Sequence, residues 1–168
     1  KTFANSEFRV FKDTIENGGI ITSLLAEGCG DYTRNQLDVL TEFAKKQGAG
    51  GLIWMRVKED GLDAPIAKFL TEDEKQGIIT TLNAKVGDLV LIVSGQKSKT
   101  LSIMGSLRLE MARRLELLQK NIEDKLVWVT HFPLFEWDDE SQRFYAMHHP
   151  FTAPQDSDDQ FLESDPSD

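Results

Sequence analysis

Cysteine is almost missing from this sequence: Cys29 is the only one in 168 residues. No internal disulfide can staple the fold, and a reducing, cytoplasmic setting is expected. No apolar run reaches the roughly 18 residues that a membrane-spanning helix needs, and no apolar leader opens the chain, so neither export nor membrane insertion is expected. Also missing are a G-x-S-x-G elbow, an H-E-x-x-H helix and a Walker loop, which takes away the usual signatures of hydrolytic and P-loop chemistry. No nucleophile–base pair is evident, and no residue is read as catalytic.

Positive charge is in short supply, with 19 Lys and Arg against 28 Asp and Glu, a net −9. The deficit is local. Residues 136–168 carry ten acidic side chains and one basic one, Arg143, whereas residues 1–135 carry eighteen of each. Overall acidity therefore does not exclude a body that touches a phosphate backbone, because the field there is set by clusters within a Debye length of about 8–10 Å.

What is present is ample for a core: hydrophobic residues make up 40% of the chain. Phe8 to Phe11 reads as a short extended piece, and Asn17-Gly18-Gly19 as a turn before a strand in IITSLLAEG. Gly28, Cys29 and Gly30 close it as a turn. Thr33 with Gln36 forms a capping-box pattern that predicts a helix carrying Leu37, Leu40, Phe43 and Ala44 inward and stopping near Gln47, before Gly48. GLIWMRV (51–57) reads as a strand, residues 58–64 as a charged loop, and PIAKFL (65–70) as a short strand with Pro65 at its start. Thr71 with Glu74 repeats the capping box for a second helix containing Ile78, Ile79 and Leu82. LVLIVSG (89–95) is continuously apolar and reads as a central strand. A long helix from about Ser98 to Leu118 follows, its stripe marked by Leu101, Met104, Met111, Leu115 and Leu118. Arg108, Arg113, Arg114 and Lys120 lie on its polar side. Such a basic set is usually a solvated face; contact with a phosphate backbone is the sharper alternative. The pattern predicts an α+β domain, a largely antiparallel sheet with helices packed on one face.

Leu126 to Phe132 is apolar on both faces at period two and reads as a buried strand. Acidic turn formers at 138–141 and RFYAMHH after them suggest an antiparallel hairpin. So little chain follows that a layer on each side has to come from elsewhere, and the sequence is expected to be a piece of something larger. All three histidines fall here, as His131, His148 and His149. Neighbours in a strand point to opposite faces, so His148 and His149 cannot both face one ion without a bulge, and no metal site is expected. One imidazole at a strand end, where Pro150 takes the backbone out of the ladder, suits a small polar or anionic ligand.

The blocks WVTHFPLFEWDDESQRFYAMHHPFTAP, ITSLLAEG, YTRNQLDVLTEFAKKQGAGGLIWMRV, DAPIAKFL, GDLVLIVSG and MGSLRLEMARRL occur in an order that resembles bacterial-type aspartyl-tRNA synthetases over about residues 5–155. The resemblance implies a GAD-type insertion domain over residues 1–120 and, over residues 121–168, a segment of the class II catalytic domain, with the hairpin belonging to its larger antiparallel sheet. It implies an enzyme, homodimeric when complete, that activates aspartate with ATP and Mg²⁺ and passes it to tRNA. It places His148 and His149 at the aspartate pocket as binding and orienting groups, and Arg108, Arg113 and Arg114 as candidate tRNA contacts. Members commonly have Asp at the position of His131. The ATP-gripping arginine motif, the acidic ATP–Mg²⁺ ligands and the glycine-rich final motif are not in this sequence, so the isolated chain is expected to be inactive, with no cofactor bound. The alternatives are a GAD-type tRNA-binding module of a tRNA-dependent amidotransferase subunit, from which HHPFTAP separates the synthetase, and a non-catalytic interaction domain.

Overall fold

The computed structural model describes residues 2–4, 6–117, 126–130, 132–138, 140–147 and 153–164. They fall into two compact units, Lys1–Ile122 and Glu123–Asp168.

The first unit is built around the run LVLIV. A strand with apolar side chains at every position has to be covered on both faces and paired on both edges. It is: β4 (Leu89–Gly95) lies between β1 (Ile20–Ala26) and β2 (Ile53–Lys58), with β3 (Gly61–Asp63) outside β2. β1 pairs from Ile20↔Gly95 to Ala26↔Leu89, and β2 from Ile53↔Ile92 to Arg56↔Leu89. Every pairing is antiparallel, so β1 and β2 run parallel to each other with β4 in the slot between them.

Alternation along β4 sorts the core into two halves. Leu89, Leu91 and Val93 face Leu37, Leu40 and Ala44 of α2 (Arg34–Lys46) and Ile103, Met104, Leu107 and Met111 of α4 (Lys97–Arg114). Val90 and Ile92 face the other way, to Phe11 of α1 (Arg9–Glu16) and Ile78 of α3 (Glu72–Leu82), together with Met55, Val57 and Leu62. The α+β class and the antiparallel sheet are those expected from the sequence. The helices, however, sit on both faces and not on one, because the central strand is apolar on both sides.

Local signals set the helix ends. The Thr33 hydroxyl accepts from Gln36 N while the Gln36 side chain accepts from Thr33 N, and Thr71 and Glu74 repeat the exchange at α3. Three short segments differ from the sequence reading. Residues 9–16 are helical, not extended: Phe11 is fully buried, and its ring meets Phe3 at 4.5 Å and Phe8 at 5.0 Å, so tertiary burial overrides the strand preference of a four-residue run. The charged loop after β2 contains β3, since Gly61 at φ 120° turns the chain back after two residues and Lys58 pairs with Gly61. PIAKFL is a turn and one 3₁₀ turn over Ala67–Phe69, held by Ala67 N donating to Ala64 O and Phe69 N to Ile66 O.

In the second unit β5 (Phe135–Asp138) and β6 (Arg143–Ala146) form a hairpin, with Trp137 opposite Phe144 and their rings edge-on at 5.0 Å. Its turn is fixed by the Asp138 carboxylate, which accepts from Ser141 N at 3.1 Å and Ser141 Oγ at 2.6 Å. These bonds hold that carboxyl below the usual carboxylate range. The hairpin was expected, but with a first strand starting at Leu126. Residues 126–130 are in no strand, and Leu126 and Trp128 are 100% and 96% exposed. Among the described residues β6 is the neighbour available to this strand, and its four residues are used by 135–138. The acidic end contains one 3₁₀ turn at Asp159–Phe161.

Candidate functional site

Helix α4 holds three of the four basic residues singled out in the sequence, Arg108, Arg113 and Arg114; Lys120 lies outside the described residues. The helix turns Thr100, Ile103, Met104, Leu107 and Met111 inward. The expected stripe shares the two methionines with this set, and Leu115, at the helix C-cap, packs against the same core; Leu101 is 51% exposed, and Leu118 lies outside the described residues. Leucines occur on both sides of α4, so periodicity alone could not say which side the sheet would cover.

The three arginines do not act alike. Arg114 Nε donates to Glu110 Oε1 at 2.8 Å, with both side chains only 25% and 20% exposed, so this pair anchors the end of the helix. Arg113 is 65% exposed and only loosely engaged with Glu110, at 3.9 Å. Arg108 is exposed and forms no salt bridge among the described residues. Lys97 and Lys99, in the first turn, are exposed too and were passed over in the sequence, although the K-x-K pattern was there to be seen. From Lys97 to Arg114 the helix carries five cations and one carboxylate, in a chain whose net charge is −9.

Behind the helix end lies the turn with the only cysteine. Cys29 is 1% exposed; its thiol donates to Glu27 O at 3.5 Å and accepts from the Tyr32 hydroxyl. Burial pushes the thiol upward, so it stays neutral and packs as a small apolar group. Burial also raises the Tyr32 hydroxyl, against the pull of the nearby Arg114 guanidinium. The same turn is tied to the start of β4 by the buried Asp88 carboxylate, which accepts from Gly28 N at 2.9 Å and Lys85 N at 2.8 Å. Gly30 N donates to Gly87 O at 2.7 Å, and a Cβ on Gly30 would sit 2.7 Å from that oxygen.

A shallow cleft of about 430 Å³ opens nearby, lined by Asp31, Arg56, Lys58, Glu59, Asp60 and Gly87 among others. Its cations are already engaged. Arg56 lies 5.0 Å from the Trp54 ring centroid, donates to Tyr32 O at 2.8 Å and reaches Asp63 at 3.5 Å, while Lys58 meets Asp63 at 3.0 Å. Lys58 first, then Arg56, holds the Asp63 carboxyl below its ordinary value. His131, His148 and His149 lie outside the described residues. Among the described residues no three His, Cys, Asp or Glu side chains are grouped as a metal would require, and no helix is long and apolar enough to cross a membrane.

The profile of the GAD domain matches residues 11–104. The chain belongs to the GAD domain family. The GAD match runs from α1 into the first half of α4 and takes in the whole four-stranded sheet. Similarity to curated proteins extends further. The chain is 51% identical over 160 residues to an aspartate–tRNA ligase of Clostridium novyi, covering 95% of the chain. It is 47% identical over 163 residues to that of Clostridium acetobutylicum, and 49% over 162 to that of Clostridium tetani. It spans 27% of the length of each of these relatives.

Proposed function

We propose that this chain is a stretch of an aspartate–tRNA ligase, a class II aminoacyl-tRNA synthetase that activates aspartate with ATP and transfers it to tRNA. Residues 1–120 would be its GAD-type insertion domain and residues 121–168 a segment of its catalytic domain. The observation that supports this best is the reach of the similarity: the GAD profile ends at residue 104, yet identity to the ligases continues across nearly the whole chain. An amidotransferase module would not be expected to continue into the second unit. The exposed apolar residues 126–129 and the hairpin of two four-residue strands fit the same reading. A lone two-stranded ribbon is marginal in water, and this one would be completed by neighbouring strands of the ligase's sheet.

Within that enzyme His148 and His149 would bind and orient aspartate, the imidazoles offering a donor to its carboxylate. Arg108 and Arg113 remain candidate tRNA contacts, whereas Arg114 is engaged with Glu110 and serves the fold. ATP and Mg²⁺ would be gripped by other segments of the ligase, and the complete enzyme would be a cytoplasmic homodimer. Aspartate-dependent ATP–pyrophosphate exchange tests the assignment. The 168-residue chain alone is expected to be silent, the full-length protein containing it active, and His148→Ala in that protein to raise the aspartate KM. Exchange by the chain alone, or none by the full-length protein, overturns it.

A further inference from the structure

The outward face of α4 is unlike the rest of this acidic chain. On a helix advancing about 100° per residue, Ile103, Leu107 and Met111 face the sheet, and Ser98, Leu101, Ser102, Gly105 and Leu109 face out. Lys97 and Arg108 lie along one margin of that outward strip; Lys99 and Arg113 lie along the other. Between the two cationic margins the strip holds no acid and no aromatic ring. The hydroxyls of Ser98 and Ser102 form no hydrogen bond among the described residues. Gly105, in mid-helix, has nothing within 4 Å of where its Cβ would be. Glycine is disfavoured in a helix interior, and among the described residues no neighbour requires it here.

We propose that this face lies in the minor groove of an A-form RNA duplex, with the four cations reaching phosphates on either side. The A-form minor groove is wide and shallow and displays 2′-hydroxyls, which small hydroxyl side chains can meet. The B-form minor groove, about 6 Å wide, does not admit a helix of about 10–12 Å diameter. Single strands are held by stacking on aromatic side chains, and α4 has none. Gly105 then has a role: it lets the helix backbone approach the groove. The inference rests on the ligase reading only for naming the duplex as a tRNA stem.

The test is fluorescence anisotropy of the 168-residue chain with a labelled RNA hairpin whose stem is about twelve base pairs, the same sequence as DNA, and an unpaired RNA strand. The RNA stem is expected to bind about tenfold tighter than either control, and Arg108→Ala to make the salt dependence shallower by about one counterion. Gly105→Leu is expected to weaken binding about tenfold while thermal stability holds or rises, because the site is open and leucine favours helix. Lys12→Ala, on α1 across the sheet, should change neither affinity nor slope. Equal binding of RNA and DNA stems, wild-type affinity in Gly105→Leu, or no RNA binding at all overturns the inference. Those results leave pyrophosphate exchange by the full-length protein untouched, and loss of exchange with RNA-stem binding intact sinks the ligase reading alone.

Discussion

Asp88 shows how much one buried side chain can hold. Its carboxylate, 6% exposed, caps two backbone donors that lie on segments 57 residues apart, Gly28 and Lys85. Asp88→Ala removes both bonds; Gly28 and Lys85 are exposed, so water replaces part of what is lost, and a hydrogen bond to a charged group is worth about 1.5–3 kcal/mol net. A drop of about 2–3 kcal/mol in unfolding free energy, read from urea melts, is the expected result. Asp63 gives a milder and pH-dependent case. Lys58 and Arg56 depress its pKa in the folded state, so its contribution is complete above the unfolded value of about 3.9 and is lost as pH falls through the lower folded value. Because the carboxyl is 45% exposed, solvent screening keeps the effect small. Urea midpoints of Asp63→Asn and the parent chain, measured from about pH 5 to 2.5, should converge toward the acid end; parallel curves would rule the linkage out.

Elements whose ends are set by neighbouring residues were legible in the sequence, and those set by distant packing were not. Both capping boxes, at Thr33 and Thr71, mark their helices because hydroxyl and backbone donor lie three residues apart. Thr71→Ala removes one such cap and should cost about 1 kcal/mol in thermal or urea unfolding, with α3 still formed. Its partner Glu74 is 6% exposed and its Oε1 has no hydrogen bond among the described residues, so the box sits at the edge of the core, not in open water. The helix at 9–16 was hidden because its reason, the Phe3–Phe8–Phe11 cluster against β4, is tertiary. At the candidate site the cations themselves could be read, but which of them are free could not. Arg114 and Glu110, four residues apart, were a visible pair, and the depth at which they sit depends on where the sheet lies. The β-rich look of Leu126–Phe132 was real, yet composition cannot provide the neighbouring strand that a ladder needs.

At the scale of the whole chain, the two units differ in what sustains them. The first encloses two apolar layers about β4 and has its own core. The second has a four-pair ladder and exposed aromatics. Produced separately, residues 1–120 are expected to melt in one cooperative transition, and residues 121–168 to give no strand signal in circular dichroism. A sharp melt of the shorter piece would contradict this. The strand order also dictates when the fold can appear. β1 leaves the ribosome first, but its partner is β4, and β2 waits for the same strand. Until about residue 95 has cleared the exit tunnel, β1 has no partner strand and β2 has only the three-residue β3, so the apolar faces of both stay uncovered. A chain stopped before Leu89 would therefore lack the strand that joins β1 to β2 and leave both without their common neighbour.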